Sequence, residues 1–464
     1  MSQVSPATGL KNVLKEVDAV KPLNSAELTD QIVKNIYGRA ESITRKVIIR
    51  DENTGKDWDK ILDDIFTSRL TGFPTMIILL AVVFWITLTG ANYPSEVLAA
   101  FFFWGQERLT GLCGWLNAPP WVNGFFVEGV YRCLAWVVSV MLPPMAIFFP
   151  CFTLLEDAGY LPRVAFNLDR LFKKAGAHGK QSLTMSMGFG CNAAGVIACR
   201  IIEYPRERLI AMLTNNFVPC NGRYPALIAL AGLLVFGTAQ TFAATFIVVG
   251  VVLFGVAVTL AVSWGLSRTL LKGVPSSFAL ELPPYRRPQL GRTIIRSVYD
   301  RTLFVLGRAV SVAAPAGGII WIMANVRLGE SSILAHAAGW LNPLGQLLGM
   351  DGYILTAFLL GLPANEIVLP ILIMSYLAAG SMADVDGPEA MYRLFVVEHG
   401  WTWLTIVCVM LFSLLHYPCG TTLWTVWKES GSVRWTVLAA LIPLITACSV
   451  CFIVAQSARL LGLV

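Results

Sequence analysis

From about residue 70 onward the chain is a succession of long apolar runs separated by short polar stretches. A hydrocarbon core about 30 Å thick takes roughly 20 apolar residues of helix. On that ruler, membrane spans are expected over 71–90, 131–155, 209–236, 241–270, 303–325, 402–425 and 435–457. Residues 95–117, rich in Phe and Trp, suit an interfacial or partly buried helix. The first 70 residues are patterned differently, as short amphipathic helices over Ile36–Arg50 and Trp58–Phe66 that lead into the membrane.

Two apolar segments break the pattern. Residues 183–199 are short and interrupted by Gly188, Gly190 and Gly195; residues 353–380 carry Gly361, Pro363, Asn365, Glu366 and Pro370 in their middle. Both are expected to be broken or re-entrant helices. Arg163, Arg170, Lys173, Lys174 and Lys180 precede the first, and Arg200, Arg206 and Arg208 follow it. Basic residues on both flanks place both on the cytoplasmic side, which a re-entrant hairpin satisfies and a full crossing does not. The loop after the second segment is acidic (Asp384, Asp386, Glu389, Glu398, with Arg393) and is assigned outside, with Lys428 and Arg434 cytoplasmic. The basic loop 271–302, with Lys272, Arg286, Arg287, Arg292, Arg296 and Arg301, agrees with a cytoplasmic N-terminus and four crossings before it.

The expected fold class is therefore an all-α polytopic membrane protein, an inverted-repeat transporter of about seven full spans plus two broken or re-entrant helices. Nine full crossings is the alternative. Four regions follow: a cytoplasmic amphipathic segment 1–70, a first gate-containing membrane half 71–270, the basic cytoplasmic loop 271–302, and a second gate-containing half 303–464.

Composition agrees. Only 14% of residues are charged, against about 25% in a soluble domain. Residues 1–70 hold 11 basic and 11 acidic residues, a polar segment ahead of the membrane part. The net charge of +6 invites a nucleic-acid partner, but the basic residues sit at the ends of apolar runs, as positive cytoplasmic loops do. No apolar stretch near the N-terminus has the form of a cleavable signal. The ten cysteines do not form a disulfide framework; most suit small apolar packing positions.

Some polar groups lie where packing alone would not put them. Gly188-Phe-Gly-Cys-Asn192 weakens a helix beside a soft sulfur, Cys191, and a hard amide oxygen, Asn192, a mixture suited to a first-row divalent cation. Close helix packing at small residues is the plainer account of the glycines. Downstream, Pro219 and Pro225 kink an apolar run that also holds Asn215, Asn216, Cys220, Asn221 and Arg223, groups that are costly in hydrocarbon and should face a cavity or a partner. For Arg223, a salt bridge closing the bundle stands beside a direct transport role. In the second half, Gly361-Leu-Pro-Ala-Asn-Glu366 puts a carboxylate in a broken helix, and His416-Tyr-Pro-Cys-Gly420 breaks a later one. His416 and Cys419 would share a helical face if the turn survives Pro418. Broken helices at matching places in two halves point to a transporter with its site near the midplane.

At these residues the sequence resembles the membrane portion of the ferrous iron transporter B family. The resemblance runs in family order over roughly residues 37–457, through Leu155-Glu-Asp-Ala-Gly-Tyr160, Gly188–Asn192, Pro205-Arg-Glu-Arg-Leu209, Cys220 with Arg223, Glu281-Leu-Pro-Pro-Tyr285, Tyr417-Pro-Cys419 and Glu429-Ser-Gly431. It implies two gate-like repeats carrying Fe(II) as transported substrate, with no bound cofactor, and Cys191, Cys220, Cys419 and Glu366 as path residues. Three departures bear on metal identity: Ala193-Ala194 where a Val-Pro-type pair is usual, Asn365 where a lysine precedes the glutamate, and His416 where an aromatic residue is common. Members typically begin with a GTPase domain, and no GxxxxGK[ST] phosphate loop occurs in this sequence.

The leading expectation is a transporter rather than an enzyme: a multi-pass protein of the cell (inner) membrane that moves Fe(II), ahead of Mn(II) or Zn(II), with Cys191, Asn192, Cys220, Glu366, His416 and Cys419 as candidate metal ligands. Its expected partners are lipid, the metal ion, a separate G protein docking on residues 1–70 and small accessory subunits, with a homo-oligomer left open and no nucleic acid. Two alternatives stand: a nucleoside-type solute carrier, using Asn192, Asn215, Asn216 and Glu366, and a non-transporting membrane scaffold for a GTPase.

Overall fold

The computed structural model describes residues 25–47, 58–68, 70–235, 240–272, 285, 289–383, 385 and 387–463. Expectations resting on residues 48–50, 281–284, Arg286, Arg287, Asp384 and Asp386 lie outside the described residues.

The described chain is helical nearly throughout. Two helices precede the membrane part, α1 (Ser25–Val47) and α2 (Trp58–Thr67). The first long apolar helix, α3 (Gly72–Trp115), runs unbroken for 44 residues, about 66 Å at 1.5 Å per residue. Residues 95–117 are therefore not a separate interfacial helix. They continue the first span, because Pro94 lies inside the helix without ending it. A π-helical stretch, Asn123–Tyr131, leads into α4 (Arg132–Asp157), and the two form one span from Pro120.

After the amphipathic α5 (Tyr160–Lys174), the first half is built from broken pieces: α6 (Gln181–Gly190), α7 (Asn192–Ala198), α8 (Pro205–Thr214) and α9 (Tyr224–Leu234). It closes with the continuous α10 (Gln240–Arg268). A short helix, α11 (Leu290–Ser297), precedes the second half. There α12 (Phe304–Asn325) is followed by α13 (Ile333–Leu347) and α14 (Gly352–Leu360), which are bent 111° to each other, and then by α15 (Val368–Tyr376). The chain ends through α16 (Trp403–Leu415), α17 (Gly420–Ser430) and α18 (Val433–Leu460).

Among the described residues six helices are long and apolar enough to cross a membrane, or seven if the bent pair counts as one span. The expected span at 209–236 is not continuous. It breaks at Asn215–Phe217, and the chain stays non-helical to Arg223, where the polar groups of the run find partners outside their own helix. The outer faces of the long helices are apolar and open, with Ile77, Trp85, Phe246 and Ile453 each more than half exposed. Faces of that composition are stable against lipid rather than water. This is an all-α polytopic membrane protein.

The two halves repeat one order: a span, two broken helices, a span. The first is α4, α6/α7, α8/α9, α10, and the second is α12, α14/α15, α16/α17, α18. The backbone at the first break of each is the same. Cys191 lies at φ −154°, ψ 124° and Ala364 at φ −152°, ψ 124°, and each is followed by an asparagine. The second break of each carries Pro-Cys, at Pro219-Cys220 and Pro418-Cys419. One backbone bond then ties the two breaks of each half together. The Asn221 N–H donates to Gly190 O (3.2 Å) and the Gly420 N–H to Leu362 O (2.7 Å).

The amphipathic α5 fastens α2 to this body. Arg163, 1% exposed, donates to Asp63 of α2 at 2.9 Å and lies 4.1 Å over the Tyr285 ring, while Asn167 Nδ2 donates to Phe66 O (2.6 Å).

Candidate functional site

The breaks converge. A cavity of about 20 Å3 is lined by Cys191 and Asn192 from the first break, Cys220 from the second, Asn365 and Glu366 from the third, and Cys419 from the fourth. Five of the six candidate ligands from the sequence are thus brought together, from positions up to 228 residues apart. Met141 and Met145 of α4 also line it, with Gly190, Asn221, Gly222 and Thr422.

Small residues make the convergence sterically feasible. A Cβ on Gly195 would lie 2.5 Å from Asn215 Nδ2, one on Gly188 2.9 Å from Asn215 Oδ1, and one on Gly190 2.1 Å from the Phe148 ring. The glycines therefore serve close packing, Gly188 and Gly195 against the polar Asn215 and Gly190 against the Phe148 ring. Asn215 Nδ2 donates to Asn192 O (3.1 Å), Asn192 Nδ2 to Asn216 Oδ1 (3.3 Å), and Asn216 Nδ2 to His416 O (2.5 Å). This chain of amides runs from the first half into the last break of the second. Asn192 Oδ1 and Asn365 Oδ1 have no hydrogen-bond partner. Each is a buried acceptor at the cavity, at corresponding places in the two halves.

Among the described residues Arg223 makes no salt bridge. It is 1% exposed, and its guanidinium donates to Asn216 O, Asn216 Oδ1, Leu414 O, His416 O and Tyr417 O at 2.7–3.3 Å. Most of these are carbonyls left open where α16 stops, so the charge caps a helix end and joins the halves. It does not line the cavity.

His416 is the candidate that the structure separates from the rest. Pro418 ends the helical path, His416 sits at the extended C-cap of α16 (φ −64°, ψ 174°), and the shared face with Cys419 is lost. Its ring lines a neighbouring cavity with Asn365, Ser413 and apolar residues. Cys419 turns the other way, with Sγ 3.3 Å from Thr422 Oγ1.

All ten cysteines are free. Outside the cavity, the buried Cys133 Sγ donates to Ala313 O (3.4 Å) and the buried Cys451 Sγ to Cys408 O (3.5 Å). Among the described residues no three His, Cys, Asp or Glu side chains stand close enough to form a ready metal cage.

From the cavity, α7 and α17 run side by side to the basic end of the bundle. There Arg200, just past α7, grips Glu429 of α17 with two bonds of 2.7 Å.

Comparison with known proteins decides the lineage. The gate family described as "Nucleoside recognition" matches residues 138–234 and 306–433, which contain all four breaks. The family described as "Ferrous iron transport protein B C terminus" matches 248–301. The chain resembles the membrane portion of the ferrous iron transporter B family. The Fe(2+) transporter FeoB of Staphylococcus aureus strain MSSA476 is 27% identical over 457 residues, covering 96% of this chain and 65% of that relative. The Fe(2+) transporter FeoB of Methanocaldococcus jannaschii is 26% identical over 469 residues, covering 97% of this chain and 66% of the relative. The Fe(2+) transport protein A/Fe(2+) transporter FeoB fusion protein of Porphyromonas gingivalis is 26% identical, covering 85% of this chain and 50% of the relative. The chain thus spans about two thirds or less of the length of these relatives. No solved structure matches it.

Proposed function

We propose that the chain carries ferrous iron across the cytoplasmic membrane through the cavity where the four breaks meet. The observation that carries this reading is that Cys191, Cys220, Cys419, Glu366 and the unpartnered amide oxygens of Asn192 and Asn365 come from four helix breaks to one small cavity of about 20 Å3. Among the described residues no three of the thiols and the carboxylate stand within reach of one ion. A space of that size takes a single water or a single dehydrated ion. Sites for organic ligands run to about 300–1,000 Å3, which counts against a nucleoside-type solute at this cavity.

Thiolate and thioether ligands favour softer metals, whereas carboxylate and carbonyl oxygen favour harder ones. A mixed set suits Fe(II), which lies between the extremes. A closed four-thiolate shell holds zinc as a structural element; a partial one lets an ion bind and leave, as permeation requires. Cys191, Asn192, Cys220, Glu366 and Cys419 are the residues assigned to the ion's path. The names of the relatives support iron as the cargo.

The same reading places the basic end of the bundle and the N-terminus in the cytoplasm, following the positive-inside rule, and the protein in the cell (inner) membrane. It includes a separate G protein on the N-terminal segment and a small accessory partner. The fusion in the Porphyromonas relative supports the latter.

The test is uptake by purified protein in liposomes, with Fe(II), Mn(II), Zn(II) and a nucleoside in parallel. Fe(II) uptake that falls on Cys191→Ser, with Cys448→Ser unaffected, is the expected result. Nucleoside uptake without metal uptake would overturn it.

A further inference from the structure

Asn192 reaches the thiol cavity with one end of its amide, and the end it presents decides what the cavity can hold. Its Oδ1 is buried at the cavity without a partner, while its Nδ2 donates to Asn216 Oδ1 (3.3 Å). An amide turned the other way would offer the cavity N–H donors in place of an acceptor, and donors repel a cation.

The orientation is set behind Asn192, away from the cavity. Asn216 lies between two groups of fixed character. Its Nδ2 donates to His416 O (2.5 Å), and its Oδ1 accepts from the Arg223 guanidinium (3.1 Å). A guanidinium only donates and a carbonyl only accepts, so Asn216 can face the two in one way. Its oxygen is then the atom that meets Asn192, which must answer with Nδ2. Arg223 is itself locked by the carbonyls of Asn216, Leu414, His416 and Tyr417. The main chain of Asn192 is held too, with Asn215 Nδ2 donating to its carbonyl (3.1 Å). Arg223, Asn216 and Asn192 are 1%, 3% and 2% exposed, so bulk water offers them no alternative partner. Asn365, the counterpart in the second half, is backed differently: its Nδ2 meets Cys220 Sγ at 4.0 Å, a thiol rather than a charge.

We infer that Arg223 and Asn216 are positioning residues for ion binding, which hold the Asn192 amide so that its oxygen faces the ion's path. The inference rests on the permeation reading above. Groups that orient a metal ligand from behind typically contribute about 10–100-fold in affinity. A role confined to closing the bundle between its halves is the competing account.

The experiment uses the full chain in lipid nanodiscs and Co2+ as the probe, read by equilibrium dialysis and by thiolate-to-metal absorption. Asn216→Leu, which keeps the shape and removes both polar ends, should weaken Co2+ binding about tenfold or more. Arg223→Lys, which keeps the charge but not the fork, should weaken it likewise. Asn192→Asp presents an oxygen whichever way the side chain turns. In a protein carrying Asn192→Asp, the same two substitutions should therefore no longer weaken Co2+ binding. Asn216→Ala serves as the second variant if the Leu protein is not monodisperse. A loss of the same size with and without Asn192→Asp would show that Arg223 and Asn216 only hold the bundle together. No loss in either protein would show that Asn192 needs no orienting, and either result overturns the inference. Failure of the permeation reading shows separately, as Fe(II) uptake unaffected by Cys191→Ser, Cys220→Ser and Cys419→Ser.

Discussion

Gly222 and Glu366 meet so closely that a Cβ on the glycine would lie 2.1 Å from the Glu366 Oε1 atom. The turn after Cys220, in the first half, is bare of side chain where the carboxylate of the second half arrives. The atom it would strike is the end of a flexible side chain, so Gly222→Ala displaces the carboxylate rather than the backbone. The expected result is folded, membrane-inserted protein with Fe(II) uptake reduced as far as by Glu366→Gln.

Gly352 meets backbone instead. A Cβ there would come 1.8 Å from Ala338 O, inside the 111° bend between α13 and α14. A carbonyl in a helix cannot step aside, so Gly352→Ala should destabilise by about 1–3 kcal/mol or more. Gly265→Ala, in α10 with nothing within 4 Å, should leave thermal stability in detergent unchanged. Melting curves of the two variants check both.

The Arg200–Glu429 clamp closes the side-by-side helices that lead from the thiol cavity to the basic end. Glu429 is nearly buried at 9%, but Arg200 is 67% exposed, so the pair contributes only about 0–1 kcal/mol. That is small enough for a gate to break in each cycle. Arg200→Glu or Glu429→Arg alone should speed labelling of Cys191 and Cys419 by an impermeant maleimide added from that side. The double exchange should return the rate toward wild type.

His178, in the turn before α6, is 4% exposed, and the Lys180 N–H donates to its Nδ1 at 3.0 Å. Burial pushes its pKa below the usual histidine value, with Lys180 adding to the effect and Glu207 and Asp169 opposing it. The folded state therefore favours the neutral ring. Stability is fully present above the unfolded value of about 6.5 and is lost as pH falls from there through the lower folded value. Thermal stability should decline over that interval in wild type, and His178→Asn, which keeps an acceptor for Lys180, should flatten the decline.

Much of the cavity was legible because each cysteine that lines it follows a helix breaker: Gly190 before Cys191, Pro219 before Cys220, Pro418 before Cys419. A backbone that must stop hydrogen-bonding inside an apolar run announces itself in one dimension. The failures are contacts that sequence distance hides. Residues 209–236 looked continuous because the partners of Asn216 and Arg223, the carbonyls of Leu414, His416 and Tyr417, lie about 200 residues away. Met141 and Met145 carried no signal, since a thioether in a span is indistinguishable from packing. His416 was placed with Cys419 by helical spacing, and Pro418 removes the helix on which that spacing depends.

The matched breaks at Cys191 and Ala364 have one more consequence. Copied without change, the repeat would pair its thiols, Cys191 with a cysteine at 364 and Cys220 with Cys419, and so offer four sulfurs to one ion, the composition of a zinc knot. Alanine stands at the fourth corner, and the carboxylate of Glu366 follows two residues later. On the proposed permeation reading, this departure from symmetry replaces a store for metal with a place of exchange.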